Sequence, residues 1–261
     1  MHINHQKERL GILSSDLSHY DIQPDKTIGQ YSALLNVSFD RPPGLARFCY
    51  DILKTKEQYL AWKNSNRDCM LVLNGRTKAD QTSCCWLSPA SVETASALKQ
   101  EASDSAAGSR IGVVELYCQK TDFMPGNIKR MSAIVCLLIQ LLETDSTILR
   151  DAERFEDIRT RLTKLDSKSE SDFRHVCGLL VEVIKKFDVV YFIIDRVDRI
   201  SGDFIKDFLK NVVLAQTDAK VKALCVASRD QDIVKKIDSL SYEVDEKKFL
   251  TLQIDQDRME R

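Results

Sequence analysis

Histidine is scarce in this chain: four residues in 261, with His2, His5 and His19 near the start and His175 alone in the body. That scatter excludes a readable zinc ligand set. No Cys-x-x-Cys occurs. The eight cysteines stand at 49, 69, 84, 85, 118, 136, 177 and 225, mostly inside apolar stretches such as Ile134-Val135-Cys136-Leu137. Buried, reduced thiols are therefore expected rather than a disulfide framework. Nor is there an apolar run near the ~18 residues that span a bilayer; Val189 to Ile194 and Ala133 to Ile139 are core-sized. The N-terminus, Met-His-Ile-Asn-His-Gln-Lys-Glu, lacks an apolar signal core. The expectation is a cytoplasmic protein without membrane insertion. An excess of either charge is missing too: 38 Lys+Arg oppose 39 Asp+Glu, a net charge of −1. That balance disfavours a nucleic-acid binder, which normally shows a basic excess or stripe.

What is present fits a globular domain. Hydrophobic residues make up 43% and charged residues 30% of the chain, which argues against disorder or a fibre. Residues 1–40 read as an N-terminal leader or short arm, closed by Arg41-Pro42-Pro43-Gly44. Apolar residues from Leu45 to Trp62 recur at helical spacing and predict one helix ending near Asn64 to Asn66. Cys69 to Leu73 reads as a buried strand stopping at the turn Asn74-Gly75. Ser88-Pro89 reads as a helix start, with proline at the first helical position, running to about Ala102. A second strand is predicted at Ile111 to Cys118 and a helix at Asn127 to Leu142. Two helices follow, at about 147–165 and 171–187, then strand Asp188 to Ile194 and helix Asp203 to Ala215. Strand Val221 to Ala227, a short helix at about 231–238 and strand Lys248 to Ile254 complete the reading. Uniformly apolar strands alternating with helices predict an α/β fold: three layers, with a mostly parallel five-stranded sheet flanked by helices, over residues 41–261.

In open parallel sheets ligands bind beyond the carboxyl ends of the strands. After the first strand comes Gly75-Arg76-Thr77-Lys78-Ala79-Asp80-Gln81-Thr82. Against the P-loop template Gly-x-x-x-x-Gly-Lys-Ser/Thr, Gly75 and Thr82 fit. Asp80 stands where the second glycine belongs and Gln81 where the lysine belongs. After the third strand comes Asp195-Arg196-Val197-Asp198-Arg199. Apolar residues ending in Asp form the Walker B pattern, whose carboxylate helps to hold Mg²⁺. A second acid three residues on is placed to polarise water. Both carboxylates are equally readable as strand-end acids paired with Arg196 or Arg199. After the fourth strand, Arg229 is either a clamp for a phosphate or a bridge to Asp195, Asp198 or Asp230.

Together, the order and spacing of these elements resemble the NTPase core of the STAND class, particularly fungal NACHT-type signalling proteins, over about residues 45–255. The aromatic helix before the P-loop strand resembles Tyr59-Leu60-Ala61-Trp62 before Cys69 to Asn74. Val113 to Cys118 resembles the second strand, and Leu137-Leu138-Ile139-Gln140-Leu141-Leu142 a Leu-x-x-Gln-Leu-Leu-like segment. Tyr191 to Asp198 is similar to the Walker B strand, and Ala223 to Arg229 to the next strand ending in Ser-Arg. The resemblance implies a P-loop sheet whose first strand lies between the fourth and the fifth. It also implies a vestigial nucleotide site at Gly75, Lys78, Thr82, Asp195, Asp198 and Arg229, with Asp195 on Mg²⁺ if a nucleotide binds.

The departures shape the functional expectation. P-loop glycines let backbone N–H groups surround phosphate oxygens, and Asp80 puts a carboxylate beside that anion site. Two like charges ~4 Å apart cost about 4 kcal/mol at an effective dielectric near 20. Losing the lysine's charge-assisted hydrogen bond costs a further ~1.5–3 kcal/mol. Such terms take a micromolar nucleotide site towards millimolar, unless Lys78 supplies the missing charge. A helix starting at Ser88 also displaces the dipole that would face the phosphates. Arg199 stands where the family often has an acid after the second Walker B Asp.

The expectation is a degenerate NTPase-fold protein, without enzymatic activity or cofactor. It would act through a protein partner, such as a related full-length STAND protein. The alternative is a switch that binds Mg-ATP or Mg-GTP weakly through a divergent loop. A third reading, an unrelated Mg²⁺-dependent enzyme on Asp195 and Asp198, needs a further strand-end acid, and Glu115 lies inside its strand. Ser228 lacks the glycine pattern of a nucleophile elbow. The chain stops at Arg261, just past the last core strand, which reads as a stand-alone remnant or a fragment of something longer.

Overall fold

Strands that are apolar on both faces need cover on both faces, and these five find it in one parallel sheet. They are β1 (Cys69–Arg76), β2 (Ile111–Tyr117), β3 (Val189–Asp195), β4 (Lys220–Ser228) and β5 (Phe249–Asp255), in the order β2-β3-β4-β1-β5. Every neighbouring pair is parallel. The first strand thus lies between the fourth and the fifth, the placement that the resemblance implied. The structure, a computed structural model, describes residues 2–20, 50–76, 87–105, 108–118, 128–166, 168–228, 235, 239–240 and 248–255.

Helices α2 (Glu57–Asn64) and α3 (Ser88–Asp104) cover one face of the sheet. Tyr59 and Trp62 of α2, with Ala90, Ala95 and Leu98 of α3, bury Leu71, Leu73, Ile193, Leu224 and Val226. Trp62 is wholly buried, its ring 5.5 Å from Tyr59 and 6.0 Å, edge-on, from Tyr191. The buried face of α3 is built of small residues, which lets the helix lie close to the strands. Its hydroxyls turn back onto their own helix: Ser91 donates to the Ser88 carbonyl and Thr94 to the Ala90 carbonyl, each at 2.7 Å.

The opposite face carries α4 (Arg130–Thr144), α5 (Ala152–Thr163), α6 (Glu170–Ile184) and α7 (Phe204–Phe208). The sequence pattern puts apolar residues on one side of α4. In the fold, Ala133, Cys136, Leu137, Ile139 and Leu141 are buried as well. A helix apolar all round is a covered helix, and the leader supplies part of the cover. Its first residues form α1 (His2–Asp16) and a 3₁₀ turn Ser18–Tyr20, whose Leu13, Leu17 and Tyr20 join the core on this face. Arg9 donates to the Leu149 and Arg150 carbonyls, both at 2.6 Å, and Asp16 pairs with Arg159 at 2.6 Å. No helix among the described residues is long and apolar enough to cross a membrane.

Several sequence-read boundaries move. The helix expected from Leu45 to Trp62 is two pieces: residues 50–53 are helical, 54–55 turn, and α2 starts at Glu57. Lys56, in extended conformation, breaks the run and caps α2. The helix expected from Asn127 starts at Arg130, because Ile128 forms a parallel bridge with Ile200. Asp203 to Ala215 is not one α-helix; α7 passes into a π-helical segment, Leu209–Val213. The helix expected over 147–165 divides into a 3₁₀ turn, Ser146–Leu149, and α5, capped by the Asp151 carboxylate on the Glu153 and Arg154 N–H groups. Of the short helix expected at 231–238, Lys235 alone is among the described residues.

Gly112 in β2 lets α4 pack closely on the strand: a Cβ there would come within 2.8 Å of the Leu141 side-chain methyl and 3.3 Å of the Phe187 ring, and those side chains would have to shift. At the same strand, the outer sheet edge is closed by a side chain. The Glu115 N–H donates to Gln140 Oε1 at 3.0 Å, and Gln140 Nε2 donates to the Glu115 carbonyl at 2.6 Å. The primary amide thus takes the place of a neighbouring strand. Gln140→Leu leaves both backbone groups without this partner and should cost about 1–3 kcal/mol of stability. Its exposed edge should also promote self-association. Urea unfolding and concentration-dependent light scattering check both effects, and an unchanged midpoint would refute the edge-closing role.

Candidate functional site

The carboxyl ends of β1, β3 and β4 bring Gly75, Asp195 and Asp198 to one end of the sheet. Gly75 is not in a turn: it is the seventh residue of β1, in register with Ser228 of β4 and Ile254 of β5. The strand continues because both flanking strands extend beside it. Lys78, Asp80, Gln81, Thr82 and Arg229 lie outside the described residues.

Asp195 is the last residue of β3 and is fully buried. It is in register with Tyr117 of β2 and Val226 of β4, and its carbonyl accepts the Cys118 N–H at 3.0 Å. Side chains alternate along a strand, so Asp195 shares the face of Ile193, the face covered by α3. Tyr117 and Glu115 are on that face as well. The Tyr117 hydroxyl donates to Glu115 Oε2 at 2.8 Å, and Lys99 of α3 reaches Glu115 Oε1 at 2.6 Å. Burial, then the Glu115 charge and hydrogen bond, then Asp195, push the Tyr117 hydroxyl far above its ordinary value. This set, in which the exposed Lys99 reaches the buried Glu115 beside Tyr117 and Asp195, was not assembled by sequence reasoning, which stopped at Glu115 lying inside its strand.

Asp198 has a different environment. Arg196 bonds it in forked fashion: Nε to Oδ1 at 3.0 Å and to Oδ2 at 3.1 Å, and Nη2 to Oδ2 at 2.7 Å. Oδ1 also accepts the Ser228 N–H at 3.1 Å. Both side chains are nearly buried, 8% and 7% exposed. The pairing that the sequence left open between Arg196 and Arg199 thus includes a forked bond from Arg196. Arg196 has φ +55°, and it is alone among the described non-glycine residues in having a positive φ. That left-handed step turns the chain sharply after β3, so that residue 196 reaches forward to residue 198. The 3₁₀ turn Val197–Arg199 follows at once.

A second brace holds the segment beyond it. Ile128 N–H donates to the Arg199 carbonyl at 2.9 Å, and Ser201 N–H to the Ile128 carbonyl at 2.8 Å. Arg130 pairs with Asp207 at 2.8 Å and with Glu170, and lies over the Phe173 ring at 4.6 Å. The loop after β3 is therefore tied to β4 on one side and, through Ile128 and the Arg130 N–H, to the start of α4 on the other.

Chemically, Asp198 is a neutralised carboxylate in a fork, poorly placed to take a proton from water. Asp195 is the residue here that fits a metal, since Mg²⁺ is commonly held by one or two carboxylates together with substrate phosphates. Among the described residues no group of three or more His, Cys, Asp or Glu side chains is gathered for a metal ion. The five described cysteines, Cys69, Cys118, Cys136, Cys177 and Cys225, are free and buried, as their apolar contexts suggest. Compared with protein-family models, with curated proteins and with solved structures, the chain finds no match.

Proposed function

We propose that the chain is a degenerate P-loop-type domain that acts through contact with a protein partner, without nucleotide turnover. The observation that carries this reading is the chemistry of the strand ends. The P-loop template positions hold Asp80 and Gln81 in place of glycine and lysine. In addition, the acid that a hydrolytic site would use on water, Asp198, is engaged by Arg196 and the Ser228 N–H. A full-length STAND-type protein of related fold is the partner class that the resemblance suggests.

Calorimetric titration of Mg-ATP and Mg-GTP into the protein and into Asp80→Gly/Gln81→Lys tests the reading. The expected result is no wild-type binding tighter than about millimolar, with binding restored at least tenfold in the double variant. Micromolar binding by the wild type would overturn it. In that case the chain is a nucleotide switch, with Lys78 or Arg229 on the phosphates and Asp195 holding the Mg²⁺.

A further inference from the structure

Helix α1 is a docked element that neither the sheet nor the strand ends account for. Its Arg9, Leu10, Leu13, Asp16 and Leu17, with Tyr20 in the turn that follows, recur at helical spacing and form one stripe. Leu13, Leu17 and Tyr20 are buried, and Leu10 packs against the same core. The opposite side, with Lys7, Glu8, Gly11, Ile12, Ser14 and Ser15, is exposed. The helix lies against α4, α5 and the 3₁₀ turn Ser146–Leu149. These are distant in sequence: Arg9 and its partner Leu149 are 140 residues apart.

Charge fixes the direction of the occupant. At one end of the seat the Leu149 and Arg150 carbonyls accept Arg9 Nη1, both at 2.6 Å, and the Phe155 ring lies 5.6 Å from that guanidinium. At the other end Arg159 holds Asp16 at 2.6 Å. The seat thus takes a helix with a cation near its start, leucines four and eight residues on, and an acid seven residues on. The occupant contributes little to its own formation. Gly11 is exposed inside α1, and a Cβ there would meet nothing within 4 Å, so no packing requires the glycine. The first turn carries no acid and the last turn no base. A helix of 15 residues with those features is marginal by itself. Docking therefore holds α1 in shape, and the stability of that docking is local to it.

We infer that the seat under α1 is an exchangeable helix site, where an amphipathic helix of a protein partner displaces α1. The partner helix carries the α1 pattern: an arginine or lysine, then leucines at the fourth and eighth positions after it and an acid at the seventh. The inference rests on the reading that the chain works through a protein partner, and it names the surface that the partner takes. No P-loop position lies on α1, α4 or α5, so the seat is read separately from the nucleotide question.

Fluorescence anisotropy of a labelled peptide with the sequence of residues 1–20, titrated with the whole chain, tests it. The peptide competes with α1, so its affinity follows the fraction of chains whose α1 is undocked. The wild type should bind with a Kd on the order of 100 μM. Gly11→Ala in the chain steadies α1 and should weaken the peptide about fivefold. Arg9→Ala in the chain loosens α1 and should tighten the peptide about tenfold. A Leu13→Asp peptide should not bind. Hydrogen exchange supplies a second reading: α1 amides should exchange far faster than those of β3 and β4, and Gly11→Ala should slow them about fivefold. Gly11 is exposed, so that variant should fold as the wild type does. An affinity that ignores both chain variants, no binding even by Arg9→Ala, or α1 amides as protected as the sheet would overturn the inference. Self-association of the wild type over the same concentrations would seat a second copy's α1 and overturn the choice of partner. Micromolar nucleotide binding in the calorimetry would sink the functional reading, whereas failure of the peptide competition would sink this surface alone.

Discussion

Arg196→Ala is expected to lower the unfolding free energy by about 3–5 kcal/mol, read as a shift of the urea midpoint at constant slope. The substitution strands Asp198, a 7%-exposed carboxylate, beside the Ser228 N–H with its forked cation gone. An unpaired buried charge costs far more than a surface pair contributes. Arg196→Gly should be less damaging by about 1 kcal/mol, because φ +55° is strained for alanine and open to glycine. Asp198→Leu alone should cost a similar amount, since it strands Arg196. Arg196→Met/Asp198→Leu should recover most of the loss, because neither charge is then left buried. A loss under about 1 kcal/mol for Arg196→Ala would mean that the fork behaves as a solvated surface pair. Asp198 would then regain its claim to a chemical role.

The sheet was legible in the sequence because buried parallel strands announce themselves as short apolar runs. Val189 to Ile194 and Val221 to Ala227 need no partner to be recognised, and each falls within the observed β3 and β4. Strand ends were less legible. Asn74-Gly75 has turn chemistry, yet β1 runs through it because β4 and β5 both extend far enough to pair with Gly75. That is a tertiary cause with no local signature. The docking of α1 was hidden for a similar reason. Leu13 and Leu17 make a weak pattern in a polar stretch, and they matter only against α4 and its neighbours.

Asp195 and Asp198 were legible as strand-end acids by position, and the fold separates them by environment. Arg196 bonding forward to residue 198 depends on a left-handed residue that few sequence rules would assign to arginine. The Glu115–Tyr117–Lys99 set depends on β2 and α3 facing each other, which residue types alone do not reveal. Gln140, quoted as part of a helical segment, turned out to serve the sheet edge.

Alkaline pH should destabilise this protein by several kcal/mol before pH 10, and the cause is its thiols. Burial pushes Cys136, Cys177 and Cys225 up from 9.0 to about 12, and Cys69 and Cys118 are raised as well. A folded-state pKa above the unfolded value contributes stability that is fully present below pH 9 and is lost as the pH rises towards 12. At pH 10 each of the three thiols held near 12 has forfeited about 1.4 kcal/mol, because the unfolded chain ionises and the folded chain does not. Three together give about 4 kcal/mol, against a typical total of 5–15 kcal/mol. Lys222 works in the opposite sense. Burial lowers its pKa while its ammonium donates to the Lys63 carbonyl at 2.5 Å, so it favours the fold increasingly as the pH climbs towards 10.5. One lysine does not offset five thiols, and the raised Tyr59 and Tyr117 hydroxyls add to the loss above pH 10. Urea midpoints under reducing conditions at pH 7.5, 9 and 10 should therefore fall steeply across the last interval. Replacing Cys136, Cys177 and Cys225 together by alanine should flatten that fall by about half, whatever the variant's starting stability. A wild-type midpoint that stays level to pH 10 would mean that these thiols ionise in the folded protein, and that the core around them admits water.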